Sequence, residues 1–222
     1  MNWNWPSRTL GDLVSLQRGH DLTEEQRKPG IVPVVGSAGQ NGTHSQARAT
    51  GPGVTLGRSG ASIGKVTYIP TDYWPHNTCI YVTDFKGNNP RFVAYLLSTL
   101  DLAQLNSGAA QPSLNRNFVY GVKLRYPGRN EQDRIADILE KEKAIYRAQM
   151  ENSGKPANVI EKIVEGKLGA YYEQVVLVDQ QFVIRPEAKQ TVAQAVAAVN
   201  KAIGASVAIT RFARLKVGEA AQ

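Results

Sequence analysis

One cysteine, Cys79, in 222 residues leaves nothing to form an internal disulfide and excludes a cysteine-based zinc site. The three histidines, His20, His44 and His76, share no metal-ligand spacing and read as surface or packing residues. No apolar run approaches the roughly 20 residues that span a bilayer. The opening Met-Asn-Trp-Asn-Trp-Pro does not have the make-up of a secretion signal, so the expectation is a cytoplasmic chain with no membrane partner. Two motifs that would carry chemistry are missing as well. Counting back from Gly64-Lys65, Ser59 falls where a nucleotide-binding P-loop needs its first glycine, and Val66 replaces its Ser/Thr. Asn88-Asn-Pro-Arg-Phe fails as an adenine-methyltransferase motif, because Arg91 stands in place of the second proline.

What is present is an ordinary globular composition, 42% hydrophobic and 20% charged. Twenty-six Lys+Arg against 19 Asp+Glu give a net charge of +7, which tilts the chain toward a polyanionic partner. The excess is shared, four charges before residue 140 and three after, and so favours neither half.

The stretch Gly57-Arg-Ser-Gly-Ala-Ser-Ile-Gly-Lys is the most informative. Three glycines free the backbone for tight turns, while Arg58, Ser59, Ser62 and Lys65 supply donors for phosphate oxygens or base edges. Val54 and Leu56 before it and Val66, Tyr68 and Ile69 after it alternate as half-buried strands do. The same pattern also fits a glycine-rich hairpin with no ligand. Gly36-Ser-Ala-Gly-Gln-Asn-Gly-Thr is a second polar loop, following the short strand Ile31-Val-Pro-Val-Val, in which Pro33 marks an edge position. Gln40 and Asn41, read at its tip, are side chains that pair bidentately with adenine, although Asn-Gly by itself also makes a plain hairpin turn. Gln111, Ser113, Asn115, Arg116 and Asn117 crowd a third loop. An enzyme would want titratable pairs in such loops. Only His44 answers between Gly36 and Arg58, and nothing does between Gly108 and Asn117. Amides, hydroxyls and arginines are binding chemistry, so no catalytic residue, metal or cofactor is expected.

Asn89-Pro90 reads as a helix start, with Phe92, Tyr95, Leu96, Thr99 and Leu100 on its buried face. Val119 to Tyr126 alternates as a strand, and Asn130 caps a long helix that ends by Asn152-Ser-Gly-Lys-Pro. Pro156 opens a helix with Val159, Ile160, Ile163 and Val164 inward. Thr191 to Ile203 is a further, alanine-rich helix, and Ser206 to Val217 alternates as a strand.

Six segments in order carry a resemblance. They are Leu10-Gly-Asp-Leu-Val, Gly36-Ser-Ala-Gly-Gln-Asn-Gly, Gly57-Arg-Ser-Gly-Ala-Ser-Ile-Gly-Lys-Val, Asn77-Thr, Gln111-Pro-Ser-Leu-Asn and Pro127-Gly-Arg-Asn-Glu-Gln-Asp-Arg-Ile. Over residues 1–139 the chain resembles the target recognition domain of a type I restriction-modification specificity subunit. The resemblance implies a non-catalytic domain that reads one half of a split duplex DNA target and delivers methyltransferase subunits to it. It also implies a long spacer helix from about Asn130. Its apolar stripe, Ile135, Ile138 and Leu139, is interrupted here at Glu142 before Ile145 and Tyr146. Expected DNA contacts are Arg58, Ser59, Ser62, Lys65, Ser113 and Arg116, with Gln40, Asn41, Gln111 and Asn115 toward base edges. A second copy of the chain is a further partner, supplying the other half-site.

Residues 140–222 are similar to the C-terminal part of bacterial elongation factor Ts. The matching words include Gly154-Lys-Pro-Ala-Asn-Val-Ile-Glu-Lys-Ile-Val-Glu-Gly-Lys, Tyr172-Glu-Gln-Val-Val-Leu-Val-Asp-Gln and Arg211-Phe-Ala-Arg-Leu-Lys-Val-Gly-Glu. That family acts on elongation factor Tu through other regions, including Thr-Asp-Phe-Val. The nearest words here, Val82-Thr-Asp-Phe-Lys, lie inside the recognition-domain match, so binding to elongation factor Tu without nucleotide exchange is the alternative function. The chain reads as a chimera, natural or engineered, joined where both families have a helix reading Leu-Glu-Lys. Its expected class is α+β: a β-rich recognition domain with a helix packed on it, a long connecting helix, and a small α+β module.

Overall fold

The computed structural model describes residues 5–105, 113–151, 153–184, 189–205, 207 and 209. The fold is α+β, and the chain divides into two compact units, Trp5–Asp137 and a second that begins at Ile138. The expected strand from Ser206 lies almost wholly outside the described residues.

The first unit is built on an antiparallel sheet of β2 (Ser15–Arg18), β8 (Cys79–Asp84), β5 (Gly53–Gly57) and β6 (Val66–Ile69), in that order. A three-stranded sheet carries β3 (Val32–Gly36) between its hairpin partner β4 (Gly39–His44) and the parallel two-residue β7 (Trp74–Pro75). A third sheet pairs β1 (Ser7–Thr9) with β9 (Lys123–Arg125). Between β1 and β2 lies α1 (Leu10–Leu13), entered through a capping box of Thr9 and Asp12. Helix α2 (Pro90–Ser98) is started by the Asn89 side chain, which accepts from the amides of Arg91 and Phe92. It packs across β5 and β6.

Four local readings change. Strand β5 is buried at every residue, because α2 packs against it and it has a neighbour on each side; it is not half-buried. Pro33 is in the central strand of its sheet, not an edge one. The proline is tolerated because β7 pairs only with Val34 and Val35, and the β3–β4 register slips between Pro33 and Val35. On α2 the buried residues are Phe92, Val93, Ala94 and Leu97; Thr99 is exposed as the C-cap, where the helical period has already ended. Residues Arg116–Tyr120 form a short helix, α3, capped by the Asn115 side chain, and only Lys123–Arg125 of the expected strand is extended.

The core of this unit gathers Leu10, Leu13, Val54, Leu56, Val93 and Leu97 with Leu114, Val119 and Tyr126. Cys79 is fully buried, its sulfur 3.2 Å from the His76 carbonyl and 3.4 Å from that of Val35. Burial pushes its thiol up to about 12, and only the thiolate is nucleophilic. Cys79 is therefore expected to resist a disulfide reagent at neutral pH until the sheet unfolds. Native-state labelling as fast as that of free cysteine would contradict this packing.

Helix α4 (Arg129–Met150) starts one residue before Asn130, with the Gly128 carbonyl accepting from Glu131 and Gln132. At 22 residues it makes about six turns. In the second unit, Arg147 of α4 makes a two-pronged ion pair with Glu161 of α5 (Ala157–Val175), at 2.7 and 2.9 Å. Val164 and Leu168 carry the burial of α5, whereas Val159, in its first turn, is exposed. Helix α6 (Val192–Ile203) opens on a capping box of Thr191 and Gln194.

Candidate nucleic-acid interface

Strand β5 delivers the chain into the loop Arg58–Lys65, which returns as β6. The neighbouring strand register decides what this loop meets. The amide of Arg58 donates to the Thr78 carbonyl at 2.9 Å, and the amide of Leu114 donates to the Arg58 carbonyl at 2.8 Å. Ser59 and Ser113 form an isolated antiparallel bridge. The central and third loops are thus joined through their backbones.

The β3–β4 hairpin docks on the same loop. Its turn is Ser37-Ala38, closed by Gly36 opposite Gly39. The Ser37 hydroxyl donates to the Ser59 carbonyl at 2.6 Å, and the Lys65 ammonium donates to the Ala38 carbonyl at 2.7 Å. Gly57 allows this approach. A Cβ there would overlap the Ser62 carbonyl oxygen and stand 2.7 Å from that of Ser37. Three segments far apart in sequence therefore share one surface, and between Ser37 and Thr71 the chain holds no acidic residue.

Gln40 and Asn41 are on β4, not at the hairpin tip. Asn41 and Gly42 together oppose the single residue Val34, the two-against-one count of a β-bulge, and Gly42 takes φ 127°, which favours glycine. Both side chains are exposed; the backbone of Asn41 accepts from Arg27 at 2.8 Å. Lys65 braces the hairpin. Ser62 is half-buried in the turn Gly60–Ser62. Gln111 lies outside the described residues. The Asn115 side-chain oxygen caps α3 by accepting from the Asn117 amide at 2.9 Å, which fixes the orientation of this exposed side chain and leaves its second lone pair and its NH2 open.

Arg58, Ser113, Asn115 and Arg116 line one recess of about 330 Å³, together with Gln17 and Arg18 from β2. Those last two were not expected from the sequence. A Gln-Arg pair at the end of a strand is common, and only the β2–β8 pairing carries it beside the loops. Arg18 and Arg116 are held by backbone carbonyls, Arg18 Nε 3.5 Å from the Asn77 oxygen and an Arg116 terminal nitrogen 3.3 Å from that of Leu16.

The fold and this surface define an α+β module that presents basic and amide-rich loops from a sheet. Residues 2–159 match the type I restriction modification DNA specificity domain, and residues 129–219 match elongation factor Ts. Similar solved structures include the S subunit of a type I restriction-modification system from M. genitalium, with a TM-score of 0.56 at 19% identity. That likeness covers 78% of this chain and 46% of the other. A structure described as the basis of complex assembly and conformational transition of the type I R-M system gives 0.50 at 16% identity, over 72% and 45%. At these identities the likeness is one of fold. Among curated proteins, elongation factor Ts of Pseudothermotoga lettingae is 49% identical over 151 residues, 68% of this chain and 70% of that protein. The same factor from Geotalea uraniireducens is 37% identical over 137 residues, 62% and 54%. The chain thus spans about half the length of most of these relatives. It belongs to the type I restriction-modification specificity family through its N-terminal part and to the elongation factor Ts family through its C-terminal part. No helix among the described residues is long and apolar enough to cross a membrane.

Proposed function

We propose that the first unit binds duplex DNA with sequence preference, as one half of a type I specificity subunit that acts by binding and brings modification subunits to its site. The observation that carries this is the locking of three loops into one acid-poor surface, through Ser37–Ser59, Lys65–Ala38 and Leu114–Arg58. Arginines there suit guanine edges and phosphates, and exposed Gln40 and Asn41 suit adenine. A second copy of the chain would supply the other half-site. A single unit should bind in the range of roughly 10⁻⁴–10⁻⁶ M at physiological salt. Selection from a randomised duplex pool at two salt concentrations tests the reading. A recovered half-site with salt-dependent affinity is the expected result, and absent or salt-independent binding would overturn it.

The match to elongation factor Ts favours a second reading, binding of elongation factor Tu by the second unit. Exchange activity is not expected. Of the words resembling that family's Thr-Asp-Phe-Val, Thr83 and Asp84 end β8 and Phe85 packs against the first unit's core. A pull-down with elongation factor Tu followed by nucleotide release should give weak capture at most and no acceleration.

A further inference from the structure

We propose that the recess formed by Arg18, Arg58 and Arg116 is a site for one phosphate group of a nucleic-acid backbone; this deepens the DNA reading and rests on it. Three guanidinium-bearing side chains from β2, the central loop and α3 line the same recess, with Gln17, Ser113 and Asn115 beside them and, among the described residues, no acidic one in the lining. No ion pair among the described residues engages any of the three. Like charges gathered without a counter-charge repel one another, and an anion between them removes that cost.

The donors are already placed. A guanidinium carries five N–H groups. Arg18 and Arg116 each spend one on a backbone carbonyl, which limits their motion and leaves the others for a ligand. Phosphate fits this better than a base edge. A guanine edge takes one arginine bidentately in a plane, whereas a tetrahedral phosphate accepts hydrogen bonds from several directions. About 330 Å³ lies at the lower end of the range for small-ligand sites, with room for a phosphodiester and part of its sugar. Arg58 ties the recess to the recognition loops, so a phosphate held here would fix the register in which Gln40 and Asn41 meet the groove.

The test compares the full chain with Arg18→Gln and Arg58→Gln by fluorescence anisotropy on the selected duplex and on an unrelated duplex, over a range of salt. Gln keeps much of the length and hydrogen-bonding capacity while removing the charge. The expected result is a several-fold loss of affinity on both duplexes alike. The slope of log affinity against log salt should become shallower by about 0.9 for each lost phosphate contact. Unchanged affinity and slope overturn the phosphate site while leaving DNA binding in place. A loss confined to the selected duplex also overturns it, since that is the mark of base reading. A second arm follows the arginine Nε–Hε signals during titration with dimethyl phosphate. If the wild type binds no duplex yet Arg18 and Arg58 shift, the site stands and the DNA reading falls; if neither occurs, both fall.

Discussion

Gly57→Ala should cost roughly 100-fold in duplex affinity, the equivalent of two lost contacts at about 1–3 kcal/mol each. The added methyl has no way out. Gly57 donates its amide to the Lys65 carbonyl at 2.8 Å and accepts from the Gly64 amide at 2.8 Å, so it is fixed from both directions. The atoms it would strike, the carbonyl oxygens of Ser62 and Ser37, are backbone and cannot rotate aside. Relief requires the loop backbone at Ser62 to shift and the hairpin turn at Ser37 to lift from it, which disrupts Ser37–Ser59 and Lys65–Ala38. The overpacking itself should cost about 1–3 kcal/mol of stability. Gly128→Ala is the matched control, since a Cβ there meets nothing within 4 Å. Anisotropy and thermal melting of the two variants check this. Wild-type affinity in Gly57→Ala would show that the three loops need not touch in order to bind.

Features set by local chemistry were readable from the sequence. Asn89-Pro90 and Thr191 start helices because their side chains satisfy amides only two or three residues away. The glycine spacing of 57–65 likewise specified a loop between two strands. Features set by distant partners were not. Val54 and Leu56 read as half-buried, because α2 and the second neighbouring strand arrive from other parts of the chain. Gln40 and Asn41 read as a loop tip, because a bulge moved the turn to Ser37-Ala38. Arg116 and Asn117 read as part of a polar loop and Val119 and Tyr120 as the start of a strand, yet the Asn115 cap and the bridge at Ser113 turn Arg116–Tyr120 into a helix. Arg18 was invisible for the same reason. Its position beside Arg58 depends on strand pairing, for which no local pattern exists.

Gln132 is where the largest loss of stability is expected. Its side chain is buried with 1% exposure and fully satisfied. The amide nitrogen donates to the Asn88 side chain at 2.7 Å and the Pro127 carbonyl at 2.9 Å, while the oxygen accepts from the Asn89 amide at 2.9 Å. One amide thus ties the start of α4 to the cap of α2. Gln132→Leu keeps the volume but leaves the buried Pro127 carbonyl and two half-buried groups, the Asn88 side chain and the Asn89 amide, without this partner. At about 1–3 kcal/mol for the buried group and less for each of the others, a loss of about 3 kcal/mol is expected by denaturant titration. Gln132→Glu separates hydrogen bonding from packing. Its carboxylate can still accept from Asn89 but faces two acceptors, so burial and those oxygens favour the protonated acid and raise its folded pKa above the unfolded value of about 4.3. A raised pKa means that the folded state holds more protons than the unfolded one. The variant should therefore be most stable below that unfolded pKa and lose stability as pH rises toward the folded pKa, a fall the wild type cannot show from this position. Equal pH dependence in the two proteins would mean that Gln132 is not the buried tie between these helices.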